Sequence, residues 1–203
     1  MDLGDEEKQN LRLPSGCSKR MPIEAHKWLL SHAIYADLRD KYNIGYVYNT
    51  YTEGVVLKNR VILPSYVDGE LKFYQARATD KHDSPKYYTV GSKDSLFWSK
   101  GDYETKTIVL VEDMLSAIRV GEFCQAVSLI GTSLKTDKML TLVSNYDNII
   151  VWLDSDAPGQ EAANKLLRQL NLLTPCVSNV VTERDPKCLY DSEIQKKLKP
   201  YTK

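Results

Sequence analysis

From about residue 104 onward the sequence alternates short β-branched or apolar runs with longer stretches of helical period, and this alternation constrains the fold more than any other feature. Thr107–Val111 (TIVLV) reads as a strand, residues 113–121 as a helix, 126–129 as a strand and 136–143 as a helix. Residues 148–153 (NIIVWL) form the clearest buried strand in the chain. Residues 158–172 follow as a helix with Ala163, Leu166, Leu167 and Leu170 on one face; 177–181 is the next strand and 192–198 a last short helix. Strands of four to six residues separated by helices of nine to fifteen imply a parallel sheet with helices on its faces, an α/β architecture.

The N-terminal half follows another pattern. Residues 1–20 are polar and carry Pro14, Ser15 and Gly16, so they read as a flexible arm. Pro22 opens a helical pattern with Ala25, Trp28, Leu29 and His32 on one face, and 34–42 predicts a second short helix. Between 45 and 90 the period falls to two: Tyr46 and Tyr48 alternate with their neighbours, and apolar runs begin at 55, 61 and 71. Asp68-Gly69 separates two of these runs, and a type I′ turn needs positive φ at both central residues, so a hairpin is expected there. The expected organisation is a flexible arm (1–20), an α+β subdomain with a small antiparallel sheet (21–103), a parallel α/β domain (104–190) and a C-terminal helix and tail (191–203).

Lys+Arg and Asp+Glu balance at 27 each, which excludes a protein that coats nucleic acid by bulk charge; any such contact must come from a local basic surface. The four cysteines, Cys17, Cys124, Cys176 and Cys188, contain no C-x-x-C pair, so no zinc is expected. His26 and His32 are badly spaced for one metal and read as packing or surface residues. The acidic, polar N-terminus is no signal peptide, and no apolar run approaches the ~18 residues that span a bilayer. A soluble cytoplasmic protein with no membrane partner is the expectation.

In open α/β sheets chemistry collects beyond the carboxyl ends of the strands. Glu112 directly follows IVLV, and Asp154 and Asp156 follow NIIVWL in the sequence WLDSDAPGQEAA. Alternate residues of an extended segment point the same way, so Asp154 and Asp156 can face one side together. If the two strands are neighbours, three carboxylates converge and repel one another, and a hard divalent cation would resolve that repulsion. Each residue also has an ordinary alternative. Asp156 before Pro158 suits a helix cap, Glu112 a solvated face, and Asp185 in TERDPK either completes the site or starts a turn before Pro186.

A strand ending in Glu followed by a strand ending in Asp-x-Asp and a helix resembles the TOPRIM domain of primases, topoisomerases and several nucleases. RVILPSYVDGELKFYQARATDKHDSPKYYTVGSK, from Arg60 to Lys93, is similar to the segment of bacterial and phage primases that carries an Arg-Val strand, a hairpin, a further Arg and a Pro-Lys-Tyr. SLIGTSL resembles their Leu-Gly-Thr turn, LDSDAPGQEAA their Asp-x-Asp-x-x-Gly-x-x-Ala, and RDPK their Asp-Pro loop. The likeness covers about residues 20–195. It departs at Glu112-Asp113, where many members have Glu-Gly; Asp113 is free to cap the following helix instead.

The resemblance implies the catalytic core of a phage-type DNA primase, making short RNA primers on single-stranded DNA by metal-dependent nucleotidyl transfer. It implies magnesium or manganese, two ions, with Asp154 and Asp156 as principal ligands, Glu112 as ligand or base, and Asp185 as the weakest member. Arg60, Arg77, Lys86 and Lys93 match basic positions of the family and would bind template or nucleotide, although Arg60 to Lys106 holds eight Lys+Arg against seven Asp+Glu and reads equally as a mixed, salt-bridged surface. Tyr87 offers a base-stacking platform or simple cross-strand packing. Gly131 and Thr132 either present backbone N–H groups to a phosphate or form a plain turn. Zinc-binding and helicase modules have no counterpart in the sequence, so a separate helicase and a zinc module acting in trans are expected partners beside template and nucleoside triphosphates. A TOPRIM nuclease and a non-catalytic single-strand-binding accessory are the alternatives; the chain is short for a topoisomerase.

Overall fold

The computed structural model describes residues 11–80, 82–92 and 94–202. It divides into two compact units: residues up to His26 together with Tyr42–Ser95, and Lys27–Lys41 together with the chain from Leu96 onward. Two helices lie near the first boundary, α1 (Ile23–Ser31), entered after Pro22, and α2 (Ala36–Lys41).

The first unit is built on an antiparallel sheet in sequential order, β1 (Gly45–Thr52), β2 (Val55–Val67), β3 (Glu70–Ala78) and β4 (Tyr87–Gly91). The β2–β3 hairpin closes with Val67 opposite Glu70, and Asp68 (φ 52°) and Gly69 (φ 79°) take the two left-handed positions that the turn demands. The β1–β2 hairpin uses the same geometry at Glu53 (φ 46°) and Gly54 (φ 77°). Glutamate is an unusual residue for such a position, so the sequence marks this turn less clearly. Pro64 lies inside β2 opposite Tyr74, and the register shifts between Ser65 and Tyr66, an irregularity of the kind that accommodates a residue without an N–H.

Val47, Leu57, Ile62, Tyr74, Ala76 and Val90 form the core of this sheet. Leu11, Leu13 and Cys17 pack against that core, Cys17 N–H donates to the Pro14 carbonyl at 3.1 Å, and Ser18 pairs with Tyr46 as an isolated bridge. The described part of the expected flexible arm is therefore held in place. Two leucines in a polar stretch cover an apolar sheet face that would otherwise meet water. Residues 1–10 lie outside the described residues.

The second unit contains a five-stranded sheet in the order β5 (Phe97–Trp98), β7 (Ala126–Ser128), β6 (Thr107–Val111), β8 (Asn148–Val151), β9 (Val177–Asn179). The last four are parallel, as the alternation of elements predicts; β5 is an antiparallel edge strand on β7. Residues 97–98 thus belong to this unit, whereas the sequence-based boundary stood at 103/104. From β6 the chain moves one way through α3 (Met114–Val120) to β7; from β8 it moves the other way through α5 (Ala157–Asn171) to β9. Connections diverge between β6 and β8, the position where open α/β sheets form a crevice. Between β7 and β8 lies α4 (Thr136–Asn145).

One face of the sheet packs on Met139 and Leu142 of α4 and Ala163, Leu166 and Leu170 of α5, with Ile108, Leu110, Val127, Ile149 and Val151 supplying the strand side. All seven residues of α3 are buried, including Arg119. Its guanidinium donates to the Leu189 carbonyl at 3.0 Å and meets Asp191 at 2.7 Å, which ties α3 to the start of α6 (Asp191–Leu198) and to the 3-10 turn Pro186–Cys188 just before it. Among the described residues no helix is long and apolar enough to cross a membrane.

Candidate functional site

β6 and β8 are direct parallel neighbours, with Leu110 opposite Val151, so the residues that follow them share one edge of the sheet. Glu112 leaves β6 half-buried. Beyond β8 the chain stays extended through Trp152, whose N–H donates to the Leu110 carbonyl at 2.9 Å, and reaches Asp154 and Asp156. Trp152 is wholly buried and its indole donates to Thr182 Oγ1 at 2.9 Å, which sets the depth at which Asp154 emerges.

Both caps anticipated in the sequence are formed. Asp113 accepts from Ser116 N–H at 2.9 Å and starts α3; Asp156 accepts from Gly159 N–H at 2.8 Å and starts α5. Gly159 is the glycine of the Asp-x-Asp-x-x-Gly pattern, and a Cβ there would stand 2.5 Å from the Asp154 carbonyl oxygen and 3.0 Å from Asp156 Oδ1. A larger residue would push the Asp-x-Asp segment away from the helix start. Gln160 Nε2 donates to the same Asp154 carbonyl at 3.0 Å.

At the middle of the acidic group stands a cation that the sequence reading missed. Lys187 Nζ lies 2.6 Å from Asp113 Oδ2, 2.8 Å from Asp154 Oδ2 and 2.9 Å from Asp185 Oδ2, with its side chain only 10% exposed. Asp185 is further held by Ser155, whose N–H and hydroxyl donate to Oδ1 at 3.0 and 3.1 Å. Asp185 therefore belongs to the cluster, and Ser155, the middle residue of Asp-x-Asp, is what joins it. The one signal for Lys187 in the sequence was its place directly after Asp185-Pro186.

One ammonium cannot neutralise three carboxylates, and the proton affinities divide accordingly. Burial pushes Asp154 up to about 7, against the pull of its Lys187 hydrogen bond and with the charge of Asp113 adding to it. Burial also works against a charged Asp185, yet the Ser155 amide and Lys187 hold it down to about 2. Burial opposes the Lys187 charge too, but Asp113 and Asp154 keep the ammonium protonated well above its ordinary range. Glu112 is raised by burial and by the charges of Asp113 and Asp156.

Among the described residues no three His, Cys, Asp or Glu side chains form a ready-made metal cage. The donor chemistry nevertheless fits a hard divalent cation. Every donor is a carboxylate oxygen, and the buried Asp154 Oδ1 has no hydrogen-bond partner among the described residues. Magnesium needs only one or two carboxylates when waters and substrate phosphates complete its shell. Glu112, Asp154 and Asp156 are the residues that would hold it. Because the cation competes with the proton on Asp154, its affinity is expected to fall up to about tenfold for each pH unit below 7. Calorimetric magnesium titrations at pH 8 and pH 6 check this; equal affinity at the two would contradict it.

The Leu-Gly-Thr-like turn supports Glu112 from behind. Ser128, fully buried, donates its hydroxyl to the Glu112 carbonyl at 2.9 Å, and Gly131 N–H donates to the same oxygen at 3.1 Å. The Gly131 amide is thus committed to Glu112, and Thr132 beside it is exposed. Ile130, a β-branched residue, is held at φ 55° in the left-handed region, a backbone cost of about 1–3 kcal/mol that this turn sustains next to the acidic group.

The expected basic and aromatic residues form a separate group on the antiparallel sheet. Arg60 is buried, donates to the Pro85 carbonyl at 2.6 Å and lies over the Tyr88 ring at 5.4 Å. Arg77 pairs across the sheet with Tyr87 and sits over its ring at 5.9 Å; Tyr87 is itself exposed. Lys86 is exposed and its carbonyl accepts from Ala78 N–H. Lys93 lies outside the described residues. Arg60 fastens β2 to the 85–88 segment, so its guanidinium has a structural use wherever else it acts.

Residues 110–187, which contain the whole acidic group, match the Toprim-like family model. The chain superposes on the Aquifex aeolicus primase, in a structure with zinc-binding and RNA polymerase domains, with TM-score 0.68 and 20% identity over 88% of this chain and 56% of that one. It is similar also to a DnaG primase catalytic domain bound to single-stranded DNA (TM-score 0.68, 18% identity, 90% of this chain and 74% of that one) and to the E. coli primase catalytic core (0.66, 18%, 89% and 72%). This chain thus spans just over half the length of the Aquifex chain. No curated protein matches it in sequence.

Proposed function

We propose that this chain, whose residues 110–187 form a Toprim-like domain within the fold of DnaG-type primase catalytic cores, is the catalytic core of a DNA primase. The observation that carries the reading is the placement of Glu112 and Asp154-Ser155-Asp156 at the carboxyl ends of adjacent parallel strands, at the point where the sheet's connections diverge. The activity is template-directed nucleotidyl transfer. The 3′-hydroxyl of one ribonucleotide attacks the α-phosphate of the next triphosphate, a phosphodiester bond forms and pyrophosphate leaves.

A divalent cation, magnesium or manganese, supplies electrophilic help when bound, lowering the pKa of the hydroxyl and offsetting charge on the leaving pyrophosphate. The chain's own residues do the rest. Asp154 and Asp156 hold the cation; Glu112, half-buried and with raised proton affinity, holds it or takes the hydroxyl's proton. Trp152, Gly159 and the Ser128–Gly131 turn fix where these carboxylates stand. Arg77 on the antiparallel sheet, Lys86 beside it and Lys93, whose position lies outside the described residues, supply positive charge for template or triphosphate; Arg60 fastens the 85–88 segment that carries Lys86, and exposed Tyr87 offers a stacking surface. The single-stranded DNA held by the similar DnaG domain supports a single-stranded template here. A phage setting, the host cytoplasm, a separate replicative helicase and a zinc-binding module acting in trans belong to the same reading.

Incubation with single-stranded DNA, four labelled ribonucleotides and magnesium or manganese tests it on one gel. Short labelled RNA that requires template is the expected product. Cleaved DNA with no need for triphosphates would replace the reading with a nuclease. Metal-independent DNA binding without any product, in the presence of a zinc-binding primase module, would replace it with a non-catalytic accessory.

A further inference from the structure

The acidic group divides into oxygens already engaged and oxygens left over. Asp113 accepts from Ser116 N–H through Oδ1 and from Lys187 through Oδ2. Asp185 accepts from Ser155 through Oδ1 and from Lys187 through Oδ2. Asp154 gives Oδ2 to Lys187, and Asp156 gives Oδ1 to Gly159. Among the described residues, the oxygens of this group that accept no hydrogen bond are Asp154 Oδ1, the second oxygen of Asp156 and those of the Glu112 carboxylate, a donor set for one ion.

Lys187 is built to stay where it is. An ammonium has three donors, and here three carboxylate oxygens lie within 2.9 Å of it. The residue is 9% exposed and sits in the turn Pro186–Cys188, which the Cys188 N–H to Asp185 carbonyl bond (2.8 Å) closes. For the side chain to leave this position, three ion pairs would have to break. An ion pair between two flexible surface chains could be displaced by any cation; this one is buried and engages three carboxylates at once.

We propose that the Lys187 ammonium takes the place of a second divalent cation, so that the site works with one divalent ion and one tethered monovalent charge. The inference rests on the cation-dependent reading given above and narrows it: the two ions implied by family resemblance become one. Lys187 neutralises the Asp113–Asp185 side, and the divalent ion is taken by Asp154, Asp156 and Glu112.

Counting bound manganese tests this without reference to activity. The paramagnetic resonance signal of free aqueous manganese gives the number bound per chain at saturation. Wild type is expected to bind one ion, Lys187→Arg one, and Lys187→Met two, since the freed carboxylates then need a new counter-charge. If Lys187→Met does not fold, Lys187→Gln, which removes the charge, keeps all three carboxylates and leaves an amide able to donate to one of them, carries the same expectation. Two ions in wild type would overturn the proposal and leave the primase reading standing. One ion in the folded variant that lacks Lys187 would reduce the lysine to a structural pairing and also overturn it. No ion in wild type would remove both the proposal and the cation-dependent reading beneath it.

Discussion

Asp154→Asn is expected to lower primer synthesis by about a thousandfold or more while leaving the fold as stable as wild type, or more stable, above pH 7. The activity loss follows from Asp154 Oδ1, the buried oxygen without a hydrogen-bond partner among the described residues: an amide in its place is a poor ligand for a hard cation. The stability effect follows from its proton affinity. Asp154 is pushed up from 3.8 to about 7 in the folded protein. A group of that kind favours folding fully below the unfolded value and loses the contribution as pH rises toward 7, so above 7 its charge is a net cost. Asparagine has no such charge, keeps the shape, and its Oδ1 can still accept from Lys187. Thermal unfolding at pH 8 in EDTA, alongside the primer assay, separates the two effects. A variant that loses activity because it unfolds, or one that stays active, would contradict the assignment. Magnesium should in turn raise the wild-type midpoint at pH 8 by mass action and do so less for the variant.

Trp152→Ala is expected to be the most damaging single substitution for stability, costing about 3–5 kcal/mol. Trp152 is wholly buried at the end of β8 and no smaller side chain fills its volume. A loss of that size corresponds to a midpoint lower by about 10 °C for a chain of this length. Trp152→Phe keeps an aromatic ring in the site and gives up the bond to Thr182, worth about 1 kcal/mol, together with part of the indole volume, so a smaller loss than that of alanine is expected. Urea unfolding of both variants measures the difference. Equal losses would mean that the indole hydrogen bond, and not the ring's volume, holds the strand end in place.

Much of this arrangement is legible in the sequence because it follows from local rules. The strands at 107–111 and 148–151 are short apolar runs, and the helix after the second carries Ala163, Leu166 and Leu170 on one face. Asp113 and Asp156 stand where caps belong, and Asp68-Gly69 has one common backbone solution. Other features depend on partners far along the chain. Leu11 and Leu13 look like part of a polar arm until a sheet face is there to receive them. β5, two residues long, has no period to read and exists only because β7 offers an edge. Lys187 is a single lysine after Asp-Pro, and its role appears only when folding brings Asp113 and Asp154 to it across 74 and 33 residues of sequence. Arg60 was legible as a conspicuous basic residue but not as a buried one, because its burial is created by the 85–88 segment folding over it.

The central claim is one of place: that the cation and the reacting phosphate meet at the carboxyl ends of β6 and β8. Substituting ferrous iron for magnesium and generating hydroxyl radicals with ascorbate and peroxide cuts the backbone beside the bound ion. The account predicts cuts near residues 112–113, 154–156 and 185–187, suppressed by excess magnesium and absent from Asp154→Asn. Cuts that cluster elsewhere, or that persist unchanged in the variant, would put the chemistry at another site.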